Sequence, residues 1–229
     1  MSTGVAISDI NWAWNENPLS DESRNAVLEI KDFYKTLGLR FWWWVYPRGQ
    51  SVETRKILQE SGFRLFSKVP CMSADLNNVI FEDKISRRIR ISFVNNKDDL
   101  RVWEDTSFYG FEMPSRNREQ YGVFISSFFS EETSPQRLFI AYLDEKPAAT
   151  SLLFVNDATA GIYYVSTIPS YRNKGCGLAI TFAAMRAAKE LGLDEVILQA
   201  TPMGAPIYHK AGFRHICQAD IYKLDSKML

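Results

Sequence analysis

Cysteine and histidine are scarce in this chain. Its 229 residues include three cysteines, Cys71, Cys176 and Cys217, and two histidines, His209 and His215. The cysteines are far apart, odd in number and form no Cys-x-x-Cys pair, which excludes a disulfide framework and implies a reducing compartment. Two histidines beside one short segment do not build a His-rich metal site, so no metal is expected. Net charge is lacking as well. Lys and Arg together number 27 and Asp and Glu number 27. No field exists to hold a polyanion, and no nucleic-acid partner is expected. The most apolar run, Phe41-Trp42-Trp43-Trp44-Val45, falls far short of the ~20 residues that span a bilayer. There is no basic-then-apolar leader, and Met1-Ser2 does not begin a myristoylation site. The expectation is a cytoplasmic protein with no membrane partner. Glycine is sparse, at 12 residues, so a place where two fall close together stands out.

What is present is apolar and aromatic. Hydrophobic residues make up 46% of the chain and aromatics 14%, enough for one large or two small domains. A worn internal repeat is legible. Leu37-Gly38-Leu39-Arg40 precedes a strand (Phe41–Tyr46), a helical stretch and Gly62-Phe63-Arg64. Leu191-Gly192-Leu193-Asp194 precedes a strand (Glu195–Ala200), a helical stretch and Gly212-Phe213-Arg214. The glycine intervals are 62 − 38 = 24 and 212 − 192 = 20. A helix stands before each copy. Val27, Ile30, Phe33, Tyr34 and Leu37 share one face of the first, while Leu178, Phe182 and Met185 lie on a broad face of the second. The connection runs through Cys71–Leu76 to about Ser86, and the basic cluster Lys84 to Arg90 marks an exposed boundary. The predicted division is therefore 1–85 and 86–229.

In the second part the pattern predicts a strand at Ile89–Val94 and amphipathic helices at Asp98–Phe108 and Arg118–Phe129. Strands follow at Gln136–Leu143 and Lys146–Val155, turning at Asp144-Glu145, then at Ala158–Ile168 and Ile221–Leu224. Residues 165–178 carry the specific chemistry. Val165-Ser166-Thr167-Ile168 ends a strand at Pro169. A basic loop, Arg172-Asn173-Lys174, leads to Gly175-Cys176-Gly177, and a helix follows from Leu178. Backbone N–H groups converge where such a loop enters a helix, and the helix dipole adds positive potential, so the spot favours a phosphate. Glycine there lets the phosphate reach the backbone.

Arg172-Asn173-Lys174-Gly175-Cys176-Gly177 resembles the Gln/Arg-x-x-Gly-x-Gly/Ala signature of the GCN5-related N-acetyltransferases (GNAT). The parts around it fall in that family's order over roughly residues 90–224. The resemblance implies an α/β (α+β) GNAT fold: a mixed, mostly antiparallel sheet flanked by helices, preceded by a partial GNAT-like repeat. It implies acetyl-CoA as co-substrate, a small-molecule or peptide amine as acceptor, and direct attack of the amine in a ternary complex. Asn173, Lys174, Gly175, Cys176, Gly177 and Leu178 would offer N–H groups to the pyrophosphate. Arg172 would touch the ligand or pin the loop. Val165, Ser166 and Thr167 would pair with the pantetheine arm where their strand splays from Glu195–Ala200, and Thr201 stands where relatives often carry an Asn for that arm. Tyr208 would be the catalytic acid, giving a proton to the departing thiolate. Phe108, Tyr109, Phe111 and Tyr121 would wall the acceptor site. Glu112 is a candidate base, with a water chain as the alternative. Cys176, at a helix start, would be open to alkylation that blocks cofactor entry. The first copy has no glycine before its helix and Leu58 where the second has Tyr208. It is expected to be a remnant with no site. A non-catalytic CoA-binding module and an aminoacyl-tRNA-dependent transferase are the other readings, and assembly as a homodimer is left open.

Overall fold

A computed structural model describes residues 2–4, 10–81, 86–128 and 136–225. Lys84 and Phe129, both invoked above, lie outside the described residues. By packing, the chain forms two compact units, Met1–Pro70 with Cys217–Leu229, and Cys71–Ile216. This division falls earlier than the 85/86 boundary read from the sequence, and it returns the C-terminal strand to the first unit.

The first unit holds strands β1 (Trp12–Asn15), β2 (Trp42–Val45), the outer parts of β3 (Phe63–Asp75) and β9 (Arg214–Leu224), and helices α1 (Arg24–Thr36) and α2 (Val52–Glu60). Its strand order is β1-β2-β9-β3. β1 runs parallel to β2, and β9 antiparallel, with Trp43 opposite Tyr222. Alternation along β2 sends Trp43 and Val45 inward, where they meet Val27 and Tyr34 of α1 and Ile57 and Leu58 of α2. Tyr34 stacks on Phe41 at 4.0 Å. The buried Trp43 indole N–H donates to Asn15 Oδ1 at 2.8 Å, so the one polar atom of the ring is satisfied. Ser51 caps α2, its Oγ accepting from Thr54 N at 2.9 Å.

The second unit holds β4 (Ile89–Phe93), β5 (Gln136–Leu143), β6 (Lys146–Asn156), β7 (Thr159–Thr167) and β8 (Glu195–Gln199). Its helices are α3 (Lys97–Gly110), α4 (Arg118–Ser126), α5 (Cys176–Glu190) and α6 (Ala205–Lys210). The strand order is β3-β8-β7-β6-β5-β4, antiparallel throughout except for β7 with β8. Period-two alternation sorts the side chains of β5. Phe139 and Ala141 face α5, while Leu138 and Ile140 face α3 and α4. Ala179, Ala184, Ala187 and Ala188 let α5 lie close on the sheet. The β5–β6 turn is made as read: Asp144 and Glu145 both have positive φ, 48° and 61°. Two members of the basic cluster pair at this turn, Arg88 with Asp144 and Arg90 with Glu145.

Two expectations need correction. The stretch Cys71–Leu76 is not a plain connection. Cys71–Asp75 forms the end of β3 and pairs with β8, and Met72, Ala74 and Leu76 are core. The C-terminal strand begins at Arg214 rather than Ile221. Its first half, residues 214–218, is mostly exposed, so it shows no alternation to read.

Candidate functional site

The site is built where β7 stops pairing with β8. Those strands are joined at Ala160↔Val196 and Gly161↔Ile197, and among the described residues the ladder goes no further. Beyond it β7 continues on its other side with β6, through Ser166↔Thr150 and Thr167↔Ala149. The main chain of Val165–Thr167 thus turns one edge toward an opening. The register of β6 and β7 slips between Thr150 and Leu152, and Tyr164 adopts φ +51°. This is a bulge, one extra residue in β7. Both Tyr163 and Tyr164 therefore pack toward α3 and α4, and Val165 returns to the α5 side. Ser166 is buried with its Oγ 2.8 Å from Thr150 Oγ1. Gly110 gives it room, since a Cβ there would come 2.5 Å from Ser166 Oγ.

The loop after β7 is pinned by Arg172. Its Nε donates to Thr167 O at 3.2 Å, and Nη2 donates to Gly110 O at 3.2 Å and to the Glu112 carboxylate at 2.6 Å. Lys174 Nζ lies 5.4 Å from the Tyr171 ring centroid. Asn173 and Gly175 take positive φ, 61° and 89°. These two left-handed residues fold the loop back so that the chain enters α5 at Gly175. The first intrahelical bond is Ala179 N to Gly175 O, 3.0 Å. The N–H groups of Cys176, Gly177 and Leu178 precede it and form the positive end of a 15-residue helix. A Cβ on Gly177 would lie 3.3 Å from Ile207 Cδ1 and 3.5 Å from Thr167 Oγ1. Gly177 thus keeps a narrow space between the end of β7 and α6. A glycine-lined turn, unused helix N–H groups and an unpaired strand edge fit a phosphate-bearing, strand-like ligand such as coenzyme A.

Tyr208 sits on α6, 7% exposed. Its ring packs at 5.8 Å on Phe213 and close over Gly204, where a Cβ would come 2.8 Å from Tyr208 Cε2. Burial pushes its phenol up to about 12, so the hydroxyl is protonated at neutral pH. Thr201 Oγ1 accepts from Gly204 N at 3.1 Å and so shapes the turn into α6.

Three side chains are not where the sequence reading puts them. The Cys176 thiol faces the core, 1% exposed, and burial raises its pKa. It is neither accessible nor activated. Phe108 and Tyr121 are interior as well, and the Tyr121 hydroxyl is 2.9 Å from Ser107 Oγ. Of the four proposed wall residues, Tyr109 and Phe111 reach the surface. Sequence reasoning missed Tyr164, which contacts Phe111, Phe128 and Trp103 at 5.9, 5.3 and 5.8 Å. The readable signal is the pair Tyr163-Tyr164, two like residues where a strand should alternate.

Residues 97–213 match the family model described as "Acetyltransferase (GNAT) family". The chain belongs to that family. This GNAT chain is similar in fold to a GCN5-related N-acetyltransferase from Kribbella flavida, with a TM-score of 0.75 at 16% identity over 96% of this chain and 84% of that one. A GCN5-related N-acetyltransferase from Sphaerobacter thermophilus gives a TM-score of 0.66 at 15% identity over 89% of this chain and 69% of that one. A tandem GNAT protein from the clavulanic acid biosynthesis pathway gives 0.58 at 12% identity over 87% and 68%. These likenesses reach beyond the matched domain, so fold similarity extends into the first unit of the GNAT chain. No curated protein sequence matches it. Its family makes it an acyltransferase. Among the described residues, no helix is long and apolar enough to cross a membrane, and no group of three His, Cys, Asp or Glu side chains could hold a metal ion.

Proposed function

We propose that the chain is an N-acetyltransferase that takes its acetyl group from acetyl-CoA and passes it to a primary amine within a ternary complex. The observation that carries this reading is the opening of β7 from β8 with the amino end of α5 beside it. Acetyl-CoA, when bound, supplies an acetyl group activated as a thioester. The N–H groups of Asn173 to Leu178 hold its pyrophosphate, with Lys174 adding a charge near the loop. Arg172 positions that loop through Thr167 O, Gly110 O and Glu112 rather than through the ligand. The free edge of Val165–Thr167 pairs with the pantetheine amides, and a main-chain N–H there polarises the acetyl carbonyl. Thr201 stands beside the arm's path. Tyr208 keeps a proton at its Oη for the departing sulfur. Glu112 is held by Arg172, so the acceptor is taken up as the free amine or loses its proton to water. The exposed aromatic surface of Tyr109 and Phe111, with Tyr164 beside it, favours an apolar or aromatic amine.

The test is release of CoA from acetyl-CoA across a panel of primary amines. Turnover is expected with at least one, and Tyr208→Phe should lower its kcat by roughly 10²-fold with acetyl-CoA affinity little changed. Acetyl-CoA binding with no turnover on any amine would make the chain a CoA-binding module. Wild-type turnover in Tyr208→Phe would return that residue to packing alone.

A further inference from the structure

The sequence reading gives the first unit no site, yet this unit contains a cavity of about 270 Å³. It lies between the amino end of α2 and the inner face of β9 and β3. Arg55, Lys68, Asp220 and Tyr222 line it, with Gln50 and Ser51 at its edge. Asp220 pairs in register with Val45, which sets its side chain on the same sheet face as Trp43 and Tyr222.

The Asp220 side chain is 9% exposed, and its nearest cation, Lys68 Nζ, is 3.7 Å from Oδ1. That is outside hydrogen-bond range, and among the described residues no donor reaches the carboxylate. This one long ion-pair contact leaves the Asp220 oxygens able to accept hydrogen bonds from a ligand in the cavity. Two cations also line the cavity. Arg55 lies near the Tyr222 hydroxyl at the edge of the space. Lys68 extends from β3 with half its side chain in solvent. At the α2 end, Ser51 Oγ accepts from Thr54 N, and Arg55 N bonds Ser51 O at 3.2 Å. The N–H groups of Val52 and Glu53 come before that first helical bond.

We propose that this cavity binds a small zwitterion of the α-amino-acid class, with its ammonium on the Asp220 carboxylate and its carboxylate on Arg55 and Lys68. A simple anion would satisfy the two cations but leave Asp220 without donors and bring a like charge beside it. A simple amine would answer Asp220 but lie among two positive side chains. A molecule carrying both charges a few ångströms apart meets each sign of charge in the lining with its opposite. The volume suits this class, because sites for drug-sized ligands run from roughly 300 to 1,000 Å³. The loop at this helix has no counterpart of Gly175-x-Gly177, so the ligand is not a second coenzyme.

The experiment is calorimetry on the full chain with the common L-amino acids. Each binder is then repeated as its methyl ester, which lacks the carboxylate, and as its N-acetyl form, which lacks the ammonium. At least one amino acid should bind, and both modified forms should bind at least tenfold more weakly. Asp220→Asn should weaken binding at least tenfold. Lys68→Met, at a half-exposed position that folding tolerates, should do the same and serves if Asp220→Asn does not fold. The proposal is overturned if no amino acid binds at millimolar concentration, or if either modified form binds as well as the parent. It is also overturned if amino-acid binding survives in the folded variants, since the molecule would then be seated at the acceptor site of the second unit.

Discussion

Tyr208 and Cys176 show how burial decides what a reactive side chain can do. Both are interior, and in both the charged form is disfavoured. For a thiol that removes nucleophilicity, whereas for a proton donor it keeps the proton in place. The sign gives a pH prediction. The folded-state value of Tyr208 lies above the reference value of about 10, so its proton is fully present at every pH below that. The kcat profile should rise on the acid side as the acceptor amine loses its proton, and should show no alkaline fall below about pH 10. An alkaline limb centred between pH 7 and 9 that vanishes in Tyr208→Phe would contradict this assignment. The same shift makes the fold less stable at high pH. An unfolded chain ionises its tyrosine from about pH 10, while the native chain resists until about 12.

At the scale of elements, the loop and α5 act as one part. Gly177 leaves the space between Thr167 and Ile207 that a side chain would fill. Gly177→Val is expected to raise the acetyl-CoA dissociation constant at least tenfold, about 1.4 kcal/mol. Calorimetry on a variant that still unfolds cooperatively checks this, and unchanged affinity would remove the loop from the cofactor site. The cooperativity matters because valine also presses on Ile207. Much of this element was legible in the sequence: Pro169 ends the strand, Gly175-Cys176-Gly177 marks the loop that enters the helix, and the broad apolar face of α5 marks it as a buried helix. Less legible was whatever depends on partners distant in sequence. Nothing near Arg172 announces that it will hold Gly110 and Glu112. Cys71–Asp75 reads as a connection because its buried residues, Met72 and Ala74, are small or flexible rather than β-branched. Phe108 and Tyr121 read as pocket walls because an aromatic lining a site and one filling a core look alike until the sheet face behind them is known.

At the scale of the whole molecule, the first unit is expected to bind no coenzyme, giving one acetyl-CoA per chain by calorimetry. Its removal should still be ruinous. A fragment of residues 86–229 lacks Met72, Ala74 and Leu76, which belong to the core of the second unit, and it also lacks the β3 strand that pairs with β8. It should be insoluble or unfolded, because buried apolar surface would be left uncovered. A soluble and fully active 86–229 fragment would show that the end of β3 is dispensable. The strand order of the first unit has a further consequence, for synthesis. β9 lies between β2 and β3, yet the ribosome makes it only after residues 71–216. At about 5–20 residues per second the wait is on the order of ten seconds. Throughout that time the tryptophan-rich strand Trp42–Val45 has emerged without the neighbour that covers its edge. Such an edge recruits other strands, so the nascent chain must be shielded, or stay unfolded at its front, until the distant strand arrives.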